Sequence, residues 1–164
     1  MNKLLKLSNV SLNYTIDNNS INILKNISFE VDYKETISIV GESGSGKTSL
    51  IMLIGGLEKI SAGNIFFKDS EISNMTEDEI SEIRRKNIGI VFQSFYLIPN
   101  YTALENVSLS LEINKLENAT QKAKEILDRF GLSNRFNNLP SQLSGGEQQR
   151  VAIARSVVMK PELI

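Results

Sequence analysis

The run Gly41-Glu42-Ser43-Gly44-Ser45-Gly46-Lys47-Thr48 puts glycines, small hydroxyl residues and one lysine in a spacing that can hold a polyphosphate. Glycines at 41, 44 and 46 permit backbone conformations that turn successive N–H groups inward, so that Gly41, Ser43, Gly44, Ser45 and Gly46 line a concave nest for phosphate oxygens. A helix starting at Lys47 adds its positive end to that nest. Lys47 then faces the β and γ phosphates as a point charge, the Thr48 hydroxyl ligates Mg²⁺, and Ser49 touches the α phosphate. The pattern G-x-x-x-x-G-K-[ST] needs a buried strand before it and a helix after it. A bare strand-to-helix turn with an incidental lysine is the competing reading, and the matched context weighs against it.

A second device sits at Leu143-Ser144-Gly145-Gly146-Glu147-Gln148-Gln149-Arg150. Ser144 as N-cap with Glu147 at the third helical position makes a capping box, which alone describes nothing more than a well-started helix. The same residues also bring a serine hydroxyl and the amides of Gly145 and Gly146 to a positive helix end, where phosphate binds. Two phosphate-binding devices in one chain suggest two sides of one nucleotide.

The elements that must position these residues alternate between strand and helix, which favours an α/β fold. Leu4–Tyr14 and Ile21–Val31 read as antiparallel strands around the turn-rich Asp17-Asn18-Asn19-Ser20. Thr36–Val40, TISIV, is a continuous apolar run of the buried parallel kind, leading into the glycine loop. Lys47–Ile54 is predicted as a helix stopped by Gly55-Gly56, and Asn64–Lys68 as a strand. Thr76–Glu79 is a capping box opening a helix to Lys86, followed by a second buried strand, Ile88–Phe92. Thr102–Glu105 caps another helix, a further charged helix runs from about Asn118 to Gly131, and the last runs from Ser144 to near Lys160-Pro161.

Composition narrows the class. The 164 residues are 41% hydrophobic and 23% charged, enough for a packed core. A net charge of −1 gives no global basic field for nucleic acid or acidic lipid. Cysteine and histidine are both absent, which excludes disulfides and thiolate metal sites and fits a reducing compartment. Apolar runs fall far short of the ~20 residues of a membrane helix, and the start MNKLLKLSNV lacks a signal-peptide pattern.

With both devices on one chain, the sequence resembles the ATP-binding cassette (ABC) ATPases, in which GESGSGKT is the Walker A loop and LSGGEQQR the signature sequence. The resemblance implies a P-loop nucleotide-binding domain with an antiparallel β subdomain, a RecA-like parallel-sheet core, incomplete here, and a helical subdomain. It implies a β subdomain and Walker A core over 1–92, a Q-loop and helical subdomain over 93–143, and the signature helix with the start of the Walker B strand over 144–164. In that family two such domains pair head to tail, so that the Walker A loop of one and the signature helix of the other clasp the same ATP. Each chain therefore needs both devices. A homodimer, a separate integral-membrane permease, ATP and Mg²⁺ are implied, with no nucleic acid; the chain is expected to be cytoplasmic and peripheral to the membrane through that permease.

Val91-Phe92-Gln93 resembles the Q-loop, which makes Gln93 a contact for Mg²⁺ and the attacking water and a lever on the permease. On the residue alone, a polar strand end explains Gln93 equally well. Tyr14 is similar to the A-loop aromatic that stacks on adenine; a half-buried strand tyrosine is the competing reading. The catalytic set implied by the resemblance is Lys47, Gln93 and Ser144. Arg84-Arg85-Lys86-Asn87-Ile88-Gly89, FQSFYLIPNYTALENV and LPSQLSGGEQQRVAIARS resemble the bacterial branch of lipoprotein-release, macrolide-efflux and bacteriocin-export ATPases. Phe95-Tyr96-Leu97-Ile98-Pro99 puts apolar side chains where a permease groove or a core could use them.

The resemblance also marks departures. The family's Walker B aspartate, the catalytic glutamate after it and the switch histidine have no counterpart in these residues, so the chain is expected to be truncated and close to inactive alone. Its TISIV and NIGIVF edges are expected to lack ladder partners. A catalytically inactive nucleotide-binding remnant and a non-transport ABC ATPase are the alternatives. Lys34, where glycine is usual, and Ser156, where alanine is usual, are smaller departures.

Overall fold

A computed structural model of the chain describes residues 3–17 and 19–164, so Asn18 of the expected turn lies outside the described residues. The backbone divides into two compact units, one running to Arg84 and the other Arg85–Ile164.

In the first unit, β1 (Lys3–Ile16) and β2 (Asn19–Asp32) form the expected antiparallel hairpin, with Leu5 opposite Val31, Leu12 opposite Leu24 and Tyr14 opposite Ile21. Strand β3 (Ala62–Phe67) pairs antiparallel with the other edge of β1, and a short strand β4 (Ser70–Glu71) returns on β3, giving the order β2-β1-β3-β4. Central β1 contributes Leu5, Leu7, Val10 and Leu12 to the core, β3 adds Ile65 and Phe67, and Leu53 comes from helix α1 (Lys47–Ile54). Burying each such side chain is worth about 1.5–3 kcal/mol, which makes the hairpin and its cover the stable part of the unit. The predicted helix stop holds: Gly55 caps α1, its N–H donating to the carbonyls of Ile51 and Leu53. β4 was not anticipated, because its two residues are polar and carry no periodic signal.

The expected parallel strand Thr36–Val40 is corrected: it forms no ladder with any described residue, and Ile37, Ile39 and Val40 are 43%, 36% and 86% exposed. An apolar run becomes a strand only when a neighbour completes its hydrogen bonds, and none does here. Ile88–Phe92 is corrected in the same way. Only Ile88 pairs, through one parallel bridge to Leu163, with the Gly89 amide donating to the Leu163 carbonyl at 2.8 Å. The sequence reading expected both edges to lack ladder partners; Thr36–Val40 has none among the described residues, whereas the run from Ile88 has the single bridge to Leu163.

Helix α2 (Glu77–Asn87) opens at the Thr76 capping box, whose hydroxyl and amide both donate to Glu79 Oε2 at 2.8 Å. The second unit is built on α3 (Ala103–Ile113), α4 (Ala119–Arg129) and α5 (Gly145–Val157). Val107 and Leu111 of α3, Ala123 and Leu127 of α4, and Val151 and Ala154 of α5 make its core with Leu132 and Leu143. Asn106 of α3 is fully buried in this apolar setting. Its amide group donates to the carbonyls of Ile98, Tyr101 and Thr102, and its Oδ1 accepts from the Ile98 amide at 2.8 Å. One side chain thereby fixes the loop from Ile98 to Thr102 that leads into α3.

Candidate functional site

The glycine loop is shaped as its sequence demands. Gly46 is the N-cap of α1 with φ 85°, and a Cβ there would lie 2.9 Å from both the Ile23 carbonyl oxygen and Leu24 Cδ2. Gly44, at φ 82°, takes the same left-handed conformation that L residues avoid. The Lys47 ammonium folds back over its own loop and donates to the Gly41 carbonyl at 2.9 Å and the Glu42 carbonyl at 2.6 Å, with Ser45 Oγ at 3.4 Å. Its positive charge is thus parked over the nest by acceptors that an anion readily replaces.

The start of α1 differs electrostatically from the starts of α2, α3 and α5, and shares with α4 the lack of a side-chain cap and of a first-turn acid. Helices α2, α3 and α5 each begin with a capping box and an acid in the first turn, whereas α1 has no side-chain cap and no acid there. Its unpaired N–H groups and helix dipole stay available to a negative ligand. Gly41, Ser43, Gly44, Ser45 and Thr48 are exposed, and Ser49 is half-buried. The donors fit a polyphosphate, and the Thr48 hydroxyl, in the first turn of α1, fits a hard cation that such a ligand carries.

Tyr14 stands in the same unit, 38% exposed at the outer end of β1. Its hydroxyl donates to Glu58 Oε2 at 2.8 Å, and that hydrogen bond, followed by desolvation, holds the phenol above its ordinary range. Next to it, Ser61 Oγ accepts from the Asn13 amide at 2.8 Å, and the Ser61 amide donates to the Ser11 carbonyl at 2.8 Å. The segment after α1 is therefore stitched to the end of β1. A cavity of about 230 Å³ lies beside that segment, lined by Leu53, Leu57, Ile60, Ile65, Ile72 and Ile80, toward the end of α1 opposite the glycine loop.

The second unit holds Gln93, Ser144, Gly145 and Gly146, all exposed. Gln93 occupies a turn, with the Phe95 amide donating to the Phe92 carbonyl at 3.0 Å. Phe95 and Tyr96 both have positive φ, 60° and 46°, an uncommon pair for aromatic residues. Arg155 of α5 secures this strained turn, donating to the Tyr96 and Phe95 carbonyls at 2.7 Å each. Phe92 and Tyr96 meet edge to face at 5.1 Å. Of the apolar run after Gln93, Leu97 packs on the core while Tyr96 is 66% exposed, so the segment divides between the two uses left open.

At the start of α5 the capping box is complete. The Ser144 amide and hydroxyl each donate to Glu147 Oε2 at 2.8 Å, and the Glu147 amide returns a bond to Ser144 Oγ at 3.3 Å. Glu147 Oε1 accepts from Arg135 Nε at 2.7 Å. The Arg135 bond first, then the Ser144 amide and hydroxyl, hold the Glu147 carboxyl down at about 2. Glu58, Arg135, Arg155 and Asn106 were not singled out from the sequence. Their partners are distant along the chain or lie in loops, and no spacing rule reports such contacts.

The chain is matched over residues 24–164 by the family model described as ABC transporter. It is 41% identical to the lipoprotein-releasing system ATP-binding protein LolD of Idiomarina loihiensis, over 98% of this chain and 72% of that protein. It is 42% identical to the protein of the same name from Cytophaga hutchinsonii, over 100% of this chain and 74% of that one. Among solved structures, it is similar to the dimeric ATP-binding cassette MJ0796 bound to ADP and Pi, with a TM-score of 0.89 and 41% identity over 96% of this chain and 70% of the other.

Proposed function

The chain belongs to the ABC transporter family and is, by that membership, an ABC-type ATPase subunit; from that premise we propose that two copies, paired head to tail, bind and hydrolyse ATP to drive a separate membrane permease. The observation that carries the reading is the Lys47 ammonium folded over the glycine loop at a helix start free of caps and acids. That arrangement, on a loop with Gly44 and Gly46 at positive φ, suits a polyphosphate.

In this reading Gly41, Ser43, Gly44, Ser45 and Gly46 cradle the phosphates with their amides, Lys47 neutralises the β and γ groups, and Ser49 contacts the α group. Tyr14 offers its ring face to adenine. Mg²⁺, held by Thr48 and Gln93, would neutralise charge on the β and γ oxygens. Gln93 orients the attacking water and senses the permease. Ser144, Gly145 and Gly146 face the nucleotide on the partner's loop, a pairing supported by the dimeric state of the similar cassette MJ0796. No described helix is long and apolar enough to cross a membrane. The subunit sits on the cytoplasmic face of the membrane through its contact with the permease. The relatives named as lipoprotein-releasing ATP-binding proteins support export or extraction of a lipoprotein, peptide or drug as the driven process.

Two variants of the full-length protein test the proposal. Lys47→Ala should lower turnover about a hundredfold, the scale of losing one donor to a reacting oxyanion, and weaken ATP binding. Ser144→Arg should abolish hydrolysis while ATP affinity under monomeric conditions stays near wild type. A large loss of monomer affinity in Ser144→Arg would mean that Ser144 serves its own chain's site, and the head-to-tail arrangement would be wrong.

A further inference from the structure

Ser144 enters the proposed reaction with a handicap. Its single hydroxyl proton is given to Glu147 Oε2, and the carboxylate that takes it lies within the first turn of the helix whose positive end should receive a phosphate. An ionised carboxylate there opposes an approaching anion and competes for the serine proton. A neutral side chain such as glutamine would cap the same helix without the charge, its amide oxygen accepting in place of the carboxylate.

Arg135 answers the first of these costs. It lies in the 3-10 turn Ser133–Arg135 that follows α4, where its amide donates to the Leu132 carbonyl at 2.9 Å and its carbonyl accepts from the Asn138 amide at 3.0 Å. From this anchored turn its Nε donates to the carboxylate oxygen that Ser144 does not use. The Glu147 side chain is 18% exposed and that of Arg135 44%, so the pair keeps its inner face from water while the guanidinium stays in contact with solvent. We propose that Arg135 is a positioning residue of the signature helix: by compensating the charge of Glu147 and holding its carboxylate in the capping box, it keeps the helix end carrying Ser144 and the Gly145 and Gly146 amides receptive to a phosphate from the partner's nucleotide. This rests on the head-to-tail reading above and adds to it a residue outside both phosphate-binding motifs.

The test is a double-mutant cycle on the ATPase rate of the full-length protein, using Arg135→Ala, Glu147→Gln and the two combined, with thermal unfolding and monomer ATP affinity recorded for each. Arg135→Ala should lower kcat about fivefold, in the range of charge effects at helix termini, with monomer ATP affinity unchanged. In the Glu147→Gln background the same change should cost less than about twofold. Arg135→Lys, which keeps the charge, should recover most of the rate. Equal losses in both backgrounds would overturn the inference and make Arg135 a simple brace, and no loss in either would overturn it as well. If Arg135→Ala does not fold, Arg135→Gln carries the same cycle. Wild-type hydrolysis in Ser144→Arg would instead remove the reading beneath it, so the two failures are distinguishable.

Discussion

At the scale of single residues, the chemistry lies in side chains whose type is local and whose partners are not. Lys47, Thr48 and Ser144 could be proposed from the sequence because a motif is a short stretch of chain whose backbone shape and side chains arrive together. Glu58 was not, since nothing near it in the chain announces that Tyr14 will donate to its carboxylate at 2.8 Å. Tyr14→Ala should weaken ATP by about 1–3 kcal/mol, the scale of a lost aromatic stacking platform, as measured by nucleotide titration. Equal affinity in wild type and variant would return Tyr14 to a purely structural place on β1. Lys34 shows that a departure from a family pattern can be read as strain. Its φ of 64° is the left-handed conformation that a glycine takes freely. Lys34→Gly should therefore raise the unfolding free energy by up to about 1 kcal/mol in denaturant titrations, with the m-value unchanged.

At the scale of elements, the helices were legible and two of the strands were not. Thr76, Thr102 and Ser144 each announce a helix through a serine or threonine followed three residues later by glutamate, and all three boxes form with both bonds present. A capping box is completed within one turn, so it needs no help from the rest of the chain. TISIV and the run from Ile88 depend on ladder partners, and apolar character alone cannot supply them. The part of the loop from Ile98 to Thr102, just before α3, depends on one buried amide. Asn106→Ala would strand the Ile98 amide and leave the Ile98, Tyr101 and Thr102 carbonyls without their shared donor. It should cost about 2–3 kcal/mol in equilibrium unfolding. The box on α5 also fixes a pH response. Glu147 titrates at about 2 in the folded chain against an ordinary value of 4.5, so unfolded chains bind the proton first as acid is added. The stabilisation it brings is complete above pH 4.5 and is lost as pH falls from there toward 2. Glu147→Gln should flatten that part of the stability–pH curve, and an unchanged acid slope would place the titration elsewhere.

At the scale of the whole molecule, the balance between paired and unpaired sheet decides how the 164-residue chain behaves. β1 has a neighbour on each edge and buries Leu5, Leu7, Val10 and Leu12, whereas the segment carrying Ile37, Ile39 and Val40 has exposed apolar side chains and no ladder among the described residues. Local stability follows these contacts, so amides of β1 should exchange with solvent at the slow rate set by global unfolding, and those of Ile37–Val40 close to the rate of an open chain. An unpaired apolar edge also seeks partners in other molecules. Val40, the most exposed of the three, is the side chain through which a charge can oppose that pairing without touching the buried core. In the 164-residue chain, Val40→Lys should reduce concentration-dependent self-association in sedimentation experiments while leaving the thermal unfolding of the hairpin unit within about 0.5 kcal/mol of the parent. Unchanged association in that variant, together with slow exchange at Ile37–Val40, would mean that this segment pairs within its own chain in solution. The exposed edge would then lie elsewhere.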